Sequence, residues 1–312
     1  MKNYFVLALM ILSMVSCSSE LNENSIEEKQ LEVCENSKTI ELLNVKNQIE
    51  TLNQTMFTPK TNTRGIGKWF KKIFAVVTAD AVGGLFGLQI GGPCGAAAGA
   101  IMASGLAAAV PENHITLLTP LDQFLLTRAD TVIMPTSGLL PTNPVDIALR
   151  NVVPSGNWTK SDSIGYYHNL AIIEIKSELN DTPVSYDVML DKVAEKTSVL
   201  YDVNAIQIKN DINLNKGFFD HAGSSELSAK RMFTFNNLIQ AWSALYPDKA
   251  EELEVLETFF DGLSNIEVED NEGEYLDSVL KIINESSLDD NTKQNLRNSF
   301  IVGNASYQLW DI

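Results

Sequence analysis

Cysteine, histidine and basic residues are all scarce, and each shortage removes a class of function. Only Cys17, Cys34 and Cys94 occur in 312 residues. That number excludes a disulfide-stapled scaffold, and no pair has the close spacing of a zinc knuckle. Cys34 lies in a polar stretch and Cys94 in a run of glycine and alanine, so they read as two thiols, not one bridge. The histidines are His114, His168 and His221, with no HExxH pattern and no Gly-x-Ser-x-Gly elbow. Against 40 acidic residues stand 23 basic ones, a net charge of −17. Such a chain repels phosphate backbones, so nucleic acid is excluded as a partner. Few segments alternate apolar and polar residues with period two, and no solenoid-length repeat is present, so sheet and repeat architectures are not expected.

What is present starts at the N-terminus. Lys2 precedes a nearly uninterrupted apolar stretch from Tyr4 to Ser16, and Met14-Val15-Ser16-Cys17 closes it. This segment resembles the lipobox of bacterial lipoproteins. The resemblance implies cleavage before Cys17, acylation of Cys17 and attachment of the chain to membrane lipid. Each buried methylene contributes about 0.8 kcal/mol, so two or three acyl chains hold where one would not. Ser18-Ser19-Glu20 lacks the aspartate after cysteine associated with inner-membrane retention, which favours the outer membrane of a bacterial envelope. Residues 1–16 are read as signal peptide and 17–63 as an acidic stalk. Ile40, Leu43, Ile49, Leu52 and Met56 recur within that stalk at helical spacing, which predicts an exposed or loosely docked helix there.

Residues 64–110 differ in composition. RGIGKWFKKIF places Lys68, Lys71 and Lys72 around Trp69 and Phe70, a basic and aromatic cluster suited to a membrane interface. From Ile73 to Val110 the only charge is Asp80, among eight glycines and eleven alanines. Gly83, Gly87, Gly91, Gly95 and Gly99 fall every fourth residue. That spacing strips one helical face of side chains, so a second helix can approach its backbone closely. Each interior glycine also costs about 1 kcal/mol of helix stability relative to alanine, a loss that a lipid environment would offset. Gly91-Gly92-Pro93 is a turn and helix-start signal, so the run predicts a hairpin of Ile73–Ile90 and Cys94–Val110. Two placements follow: insertion or self-association at a membrane, or burial in a soluble core.

The segment from Gly65 to Ala109 resembles class II bacteriocins and related glycine-zipper peptides, which pair a basic aromatic N-terminus with glycine-spaced helices. Those peptides are short and secreted after a double-glycine leader, whereas this segment lies inside a long chain. The resemblance implies membrane association and no enzymatic activity. Downstream, IGYYHNLAIIEI and ASYQLW resemble segments of bacterial envelope lipoproteins and imply no activity either.

Six prolines across residues 111–158 predict an irregular connector. Residues 159–312 read as an all-α domain able to fold without the hairpin. Ser161-Asp162-Ser163 caps Ile164 to Leu179, Thr182-Pro183 opens the next helix, and Pro247-Asp248 opens another with a Leu253, Leu256, Phe259, Phe260 stripe. Ser287 with Asp290 has capping-box spacing before the last helix. The fold class is therefore mainly α.

The chemistry-bearing residues are sparse. His168 in GYYHNLAII shares a helical face with Ile164 and Ile172, the pattern of a core histidine. Asp220-His221 with Ser224-Ser225 contains the residue types of a hydrolase triad, but neighbours in sequence do not supply triad geometry. Asp270-Asn271-Glu272-Gly273-Glu274 is dense in oxygens without EF-hand spacing. Tyr166, Tyr167, Tyr307 and Trp310 fit a packed core better than a ligand surface. No cofactor and no metal are expected. The reading is a lipid-anchored, non-enzymatic interaction protein with an inserting or oligomerising zipper, its rival a soluble ligand- or protein-binding helical module on a lipid tether. Neither reading identifies a protein partner.

Overall fold

The computed structural model describes residues 37–57, 70–87, 92–108, 162–179, 184–222, 235–266 and 272–310. Among these residues the chain is helical and contains no strand. Helix α1 covers 37–56. It is followed by α2 (Phe70–Gly87), α3 (Gly92–Ala108), α4 (Ile164–Leu179), α5 (Tyr186–Tyr201) and α6 (Ala205–Leu214). Next come α7 (Lys216–Ala222), α8 (Phe235–Leu245) and a 3₁₀ turn at Pro247–Lys249. Helices α9 (Ala250–Leu263), α10 (Glu272–Glu285) and α11 (Asp290–Trp310) complete the chain.

The glycine-rich hairpin lies at the centre. Helix α2 packs along α3 and against α11, while α3 also meets α4, α5, α6 and α7, and α4 meets α11. Val76, Val77, Val82, Leu85, Ile101 and Met102 are buried together with Ala79, Ala81 and Ala96 to Ala98. No face of the hairpin's described middle is left open. Expected as separate units, residues 64–110 and 159–312 share one hydrophobic core. Helices α4 to α8 and α11 of the second segment pack on the hairpin. The connector at 111–158 lies outside the described residues.

Helix α1 corrects the stalk boundary. Leu42, Val45 and Ile49 are buried in the same core, so residues 37–56 belong to the folded body. Ile40 and Leu43, read from the periodicity as part of the apolar face, are 61% and 54% exposed. The docking face is chosen by its partner, α9. Lys38 Nζ sits 2.8 Å from Glu252 Oε1, Lys46 Nζ 2.9 Å from Glu254 Oε2, and Asn53 Nδ2 donates to Thr258 O at 2.9 Å. At the other flank Ser287 N–H donates to Glu41 Oε1 at 2.6 Å. That bond holds the Glu41 carboxyl below its ordinary value.

Local chemistry accounts for the helix ends. Gly92 adopts φ +67°, a left-handed conformation that only glycine takes easily, and Pro93 follows at the start of α3. This bears out the turn, with α2 beginning and ending three residues before the expected arm. Ser185 caps α5, accepting from Val188 N–H at 3.4 Å, where Thr182-Pro183 had marked the start. Asp202 ends α5 at φ 55°, and Val203 N–H returns to Ser198 O. Asn204 then caps α6. The cap of α11 is Asp289, whose carboxylate accepts from Thr292 N–H at 2.9 Å and from its hydroxyl at 2.6 Å. Ser287, the sequence choice, serves α1 instead.

Candidate functional site: a glycine contact and a buried proton-sharing cluster

Gly83 and Gly99, two of the five glycines of the expected face, meet between the two arms of the hairpin. A Cβ placed on Gly83 would lie 2.8 Å from Gly99 O and 3.0 Å from Ala100 Cα, distances real Cβ atoms essentially never show. Gly95 and Gly99 are buried on α3, and Gly87 ends α2. Gly91 lies outside the described residues. So the two glycine-bearing helices pack on each other, the arrangement in which the turn breaks the continuous phase. Of the interface cluster, Phe70, Lys71 and Lys72 open α2, while Lys68 and Trp69 lie outside the described residues, as does Cys17. No helix of the described residues is long and apolar enough to cross a membrane.

Beside the glycine contact lies the one acidic residue of α2 and α3. Asp80 is fully buried at mid-α2. Ser306 of α11 donates its hydroxyl to Asp80 Oδ2 at 2.5 Å, and His168 Nε2 of α4 stands 3.4 Å from the same oxygen. Ser104 of α3 adds a weaker interaction with the carboxyl that falls short of hydrogen-bond geometry. One carboxyl thus meets three other helices. Nearby, Ser299 of α11 donates to Ala81 O, a second tie between α11 and α2.

The histidine is held from behind. Asn169 Nδ2 donates to the Ala305 carbonyl at 2.9 Å, which fixes the amide so that Oδ1 faces His168 Nδ1, also at 2.9 Å. An amide oxygen only accepts, so Nδ1 carries a proton. The neutral ring then presents a lone pair at Nε2 towards Asp80. A carboxylate facing a lone pair is repulsive, so the Asp80–His168 contact needs one further proton, on either side of the gap. Burial pushes the Asp80 carboxyl above its ordinary value, and His168, Ser306 and Ser104 only partly offset this.

Serine, histidine and aspartate meet here, but not as an acyl-transfer triad. In a triad the serine donates to the histidine and the aspartate holds the far side of the ring. Here serine and histidine face the same carboxylate oxygen, and all three side chains are sealed from solvent. The cluster is arranged to share a proton and to tie helices together.

The other candidates are dispersed. Asp220 and His221 lie on α7, and Ser224 and Ser225 fall outside the described residues. Tyr167 packs on Tyr166 and Tyr201, with ring centroids 5.4 and 5.1 Å away, and Tyr307 is buried. Glu272 to Glu274 open α10. No group of three or more potential metal ligands occurs among the described residues.

His168 was legible as a core histidine, but its partner was not. Asp80 stands 88 positions earlier in the chain. The available signal was the isolation of Asp80: one acid in a long apolar run demands a buried partner. Comparison with family models, with curated proteins and with solved structures returned no match.

Proposed function

We propose that the chain is a lipid-anchored protein of the bacterial envelope whose helical body is an interaction module. In this reading Cys17 holds the acyl chains, with the outer membrane the favoured site. The glycine hairpin is an internal scaffold of the module. One observation carries the choice between insertion and scaffold: the Gly83–Gly99 backbone contact lies inside the body, beneath α4, α5 and α11. A glycine face spent on its own hairpin is not presented to lipid or to a second copy. The Lys68 to Lys72 cluster at the entry to α2 supplies a basic and aromatic patch on a chain of net charge −17.

Anchor and body are tested together with Cys17→Ala. Metabolic labelling with a fatty-acid analogue should mark the parent and not the variant, because no other cysteine occupies the lipobox position. The unacylated protein should stay in the aqueous phase as a discrete species without detergent. Equal labelling of both proteins removes the anchor. A variant that needs detergent, or that permeabilises vesicles, returns the hairpin to a membrane-inserting role.

A further inference from the structure

We propose that Asp80 and His168 form a one-proton latch that holds the glycine hairpin in the helical body over a bounded pH window. The inference rests on the cluster's geometry and not on the lipid anchor.

The argument is a count of protons. With Nδ1 committed to Asn169, the pair is balanced when one proton lies between Nε2 and Oδ2. Whether it sits on the ring or on the carboxyl, the pair has no net charge. Remove it, and a carboxylate faces a lone pair in a site sealed from water. Add a second, and an imidazolium faces a neutral acid in the same site. Either state leaves an uncompensated charge in the interior, which is among the most destabilising conditions a fold can meet.

Among the described side chains, no other charge meets the pair. Helix α3 carries no charged residue and brings Ser104 to the carboxyl. Helix α8, which also packs on α2, is likewise uncharged. Helix α4 contributes His168, with Glu174 and Glu178 committed to Lys196 and Lys192 on α5. Helix α11 contributes Ser306, while its Arg297 is bound to Asp162 at 2.6 Å. The remaining titratable groups on these elements are Lys71 and Lys72 at the start of α2, Cys94 on α3, Tyr166, Tyr167 and Lys176 on α4, and Asp290, Lys293 and the buried Tyr307 on α11. Tyr246, just past α8, faces Phe86.

Position turns the charge into a device. Asp80 is the point at which α2 is held by α4 and α11 at once, so an imbalance loosens the hairpin from both. Because the Asp80 acid is raised by burial, its contribution is full at low pH and is lost as pH rises through the raised value. The arrival of a second proton on the pair sets the acid limit.

Hydrogen exchange of the full-length protein in a non-ionic detergent, from about pH 4 to about pH 9 and corrected for intrinsic rates, reads the latch. Peptides from residues 76–104 should exchange about tenfold faster at both extremes than at the optimum, ahead of α9 and α10. Asp80→Asn supplies its own protons: Nδ2 can donate to the Nε2 lone pair and to Ser306 Oγ. It should abolish the alkaline loosening. If that variant does not fold, imidazole NMR of the parent decides: His168 should change protonation where the hairpin loosens. A flat exchange profile, an Asp80→Asn profile that follows the parent, or a His168 that does not titrate with the loosening overturns the latch.

Discussion

Two parts of one core are filled in opposite ways. In α2 and α3 the interior is backbone and methyl groups: Gly83 against Gly99, with Ala79, Ala81, Ala96, Ala97, Ala98 and Ala100 buried around them. Across α9, α10 and α11 the interior is ring on ring. Phe259 stacks on Phe300 at 4.6 Å and on Tyr275 at 5.6 Å, and the Tyr275 hydroxyl donates to Phe259 O at 3.0 Å. The first region gains by close approach and at Gly83 has no room to add an atom. The second gains by volume and has none to lose. They meet at Gly303 of α11, where a Cβ would lie 3.1 Å from Phe260 Cζ and 3.3 Å from Ala81 Cβ.

The largest break in this comparison is on the aromatic side. Phe259→Ala should lower unfolding free energy by about 3–5 kcal/mol in a denaturant titration, since ring burial is lost and a cavity remains. A loss below about 1 kcal/mol would mean the neighbouring rings collapse into the gap, and the layer would not be volume-limited.

The glycine side gives a sharper contrast from two adjacent residues. Gly83→Ala forces a methyl into the Gly99 backbone; overpacking of about 1–3 kcal/mol should exceed the helix-propensity gain of about 1 kcal/mol. At Gly84 the nearest atoms are Asn298 O and Ser299 Cα, both 3.6 Å away, an ordinary contact. Gly84→Ala should therefore be neutral or stabilise by up to about 1 kcal/mol. Thermal melts of the two variants should move apart; equal shifts would show that the hairpin is not limited by backbone approach.

The smallest effect concerns the surface where α1 covers α9. Burial, then Glu257 and Glu50, raise the Asp261 carboxyl to about 6. A raised acid favours the fold below its unfolded value and loses that contribution as pH rises through about 6. Asp261→Asn should flatten this slope, with a melting temperature above the parent's at neutral pH and little changed near pH 4. The reverse ordering would mean the carboxylate has an unseen cation.

Legibility in the sequence followed the range of the interaction. The hairpin turn was readable because Gly92 and Pro93 act on their own backbone. The α9 stripe of Leu253, Leu256, Phe259 and Phe260 was readable because periodicity is local, and all four are buried. The face of α1 was not, since Lys38 finds Glu252 across 214 positions. Nor was the packing of the hairpin: glycine phase marks one close face, but Ala96, Ala97 and Ala98 are buried on successive sides of α3. The cluster at Asp80 was half-visible, as an acid without a neighbour.

The tie from Ser306 to Asp80 spans 226 positions, which bears on how the chain is made. The hairpin is synthesised well before the α11 residues that meet it, so these central contacts are distant in sequence. Closure must await α11, because Ser299, Ser306 and Gly303 all lie beyond Asp290. Folding of this topology is slow relative to a bundle of neighbouring hairpins. Until then the α2 side of a nearly uncharged, glycine-rich segment lacks its α11 cover, the kind of exposed apolar surface that chaperones and other chains meet. The chain can be threaded, carried or delayed before α11 is made; the arrival of that helix decides when hairpin and cover become one body.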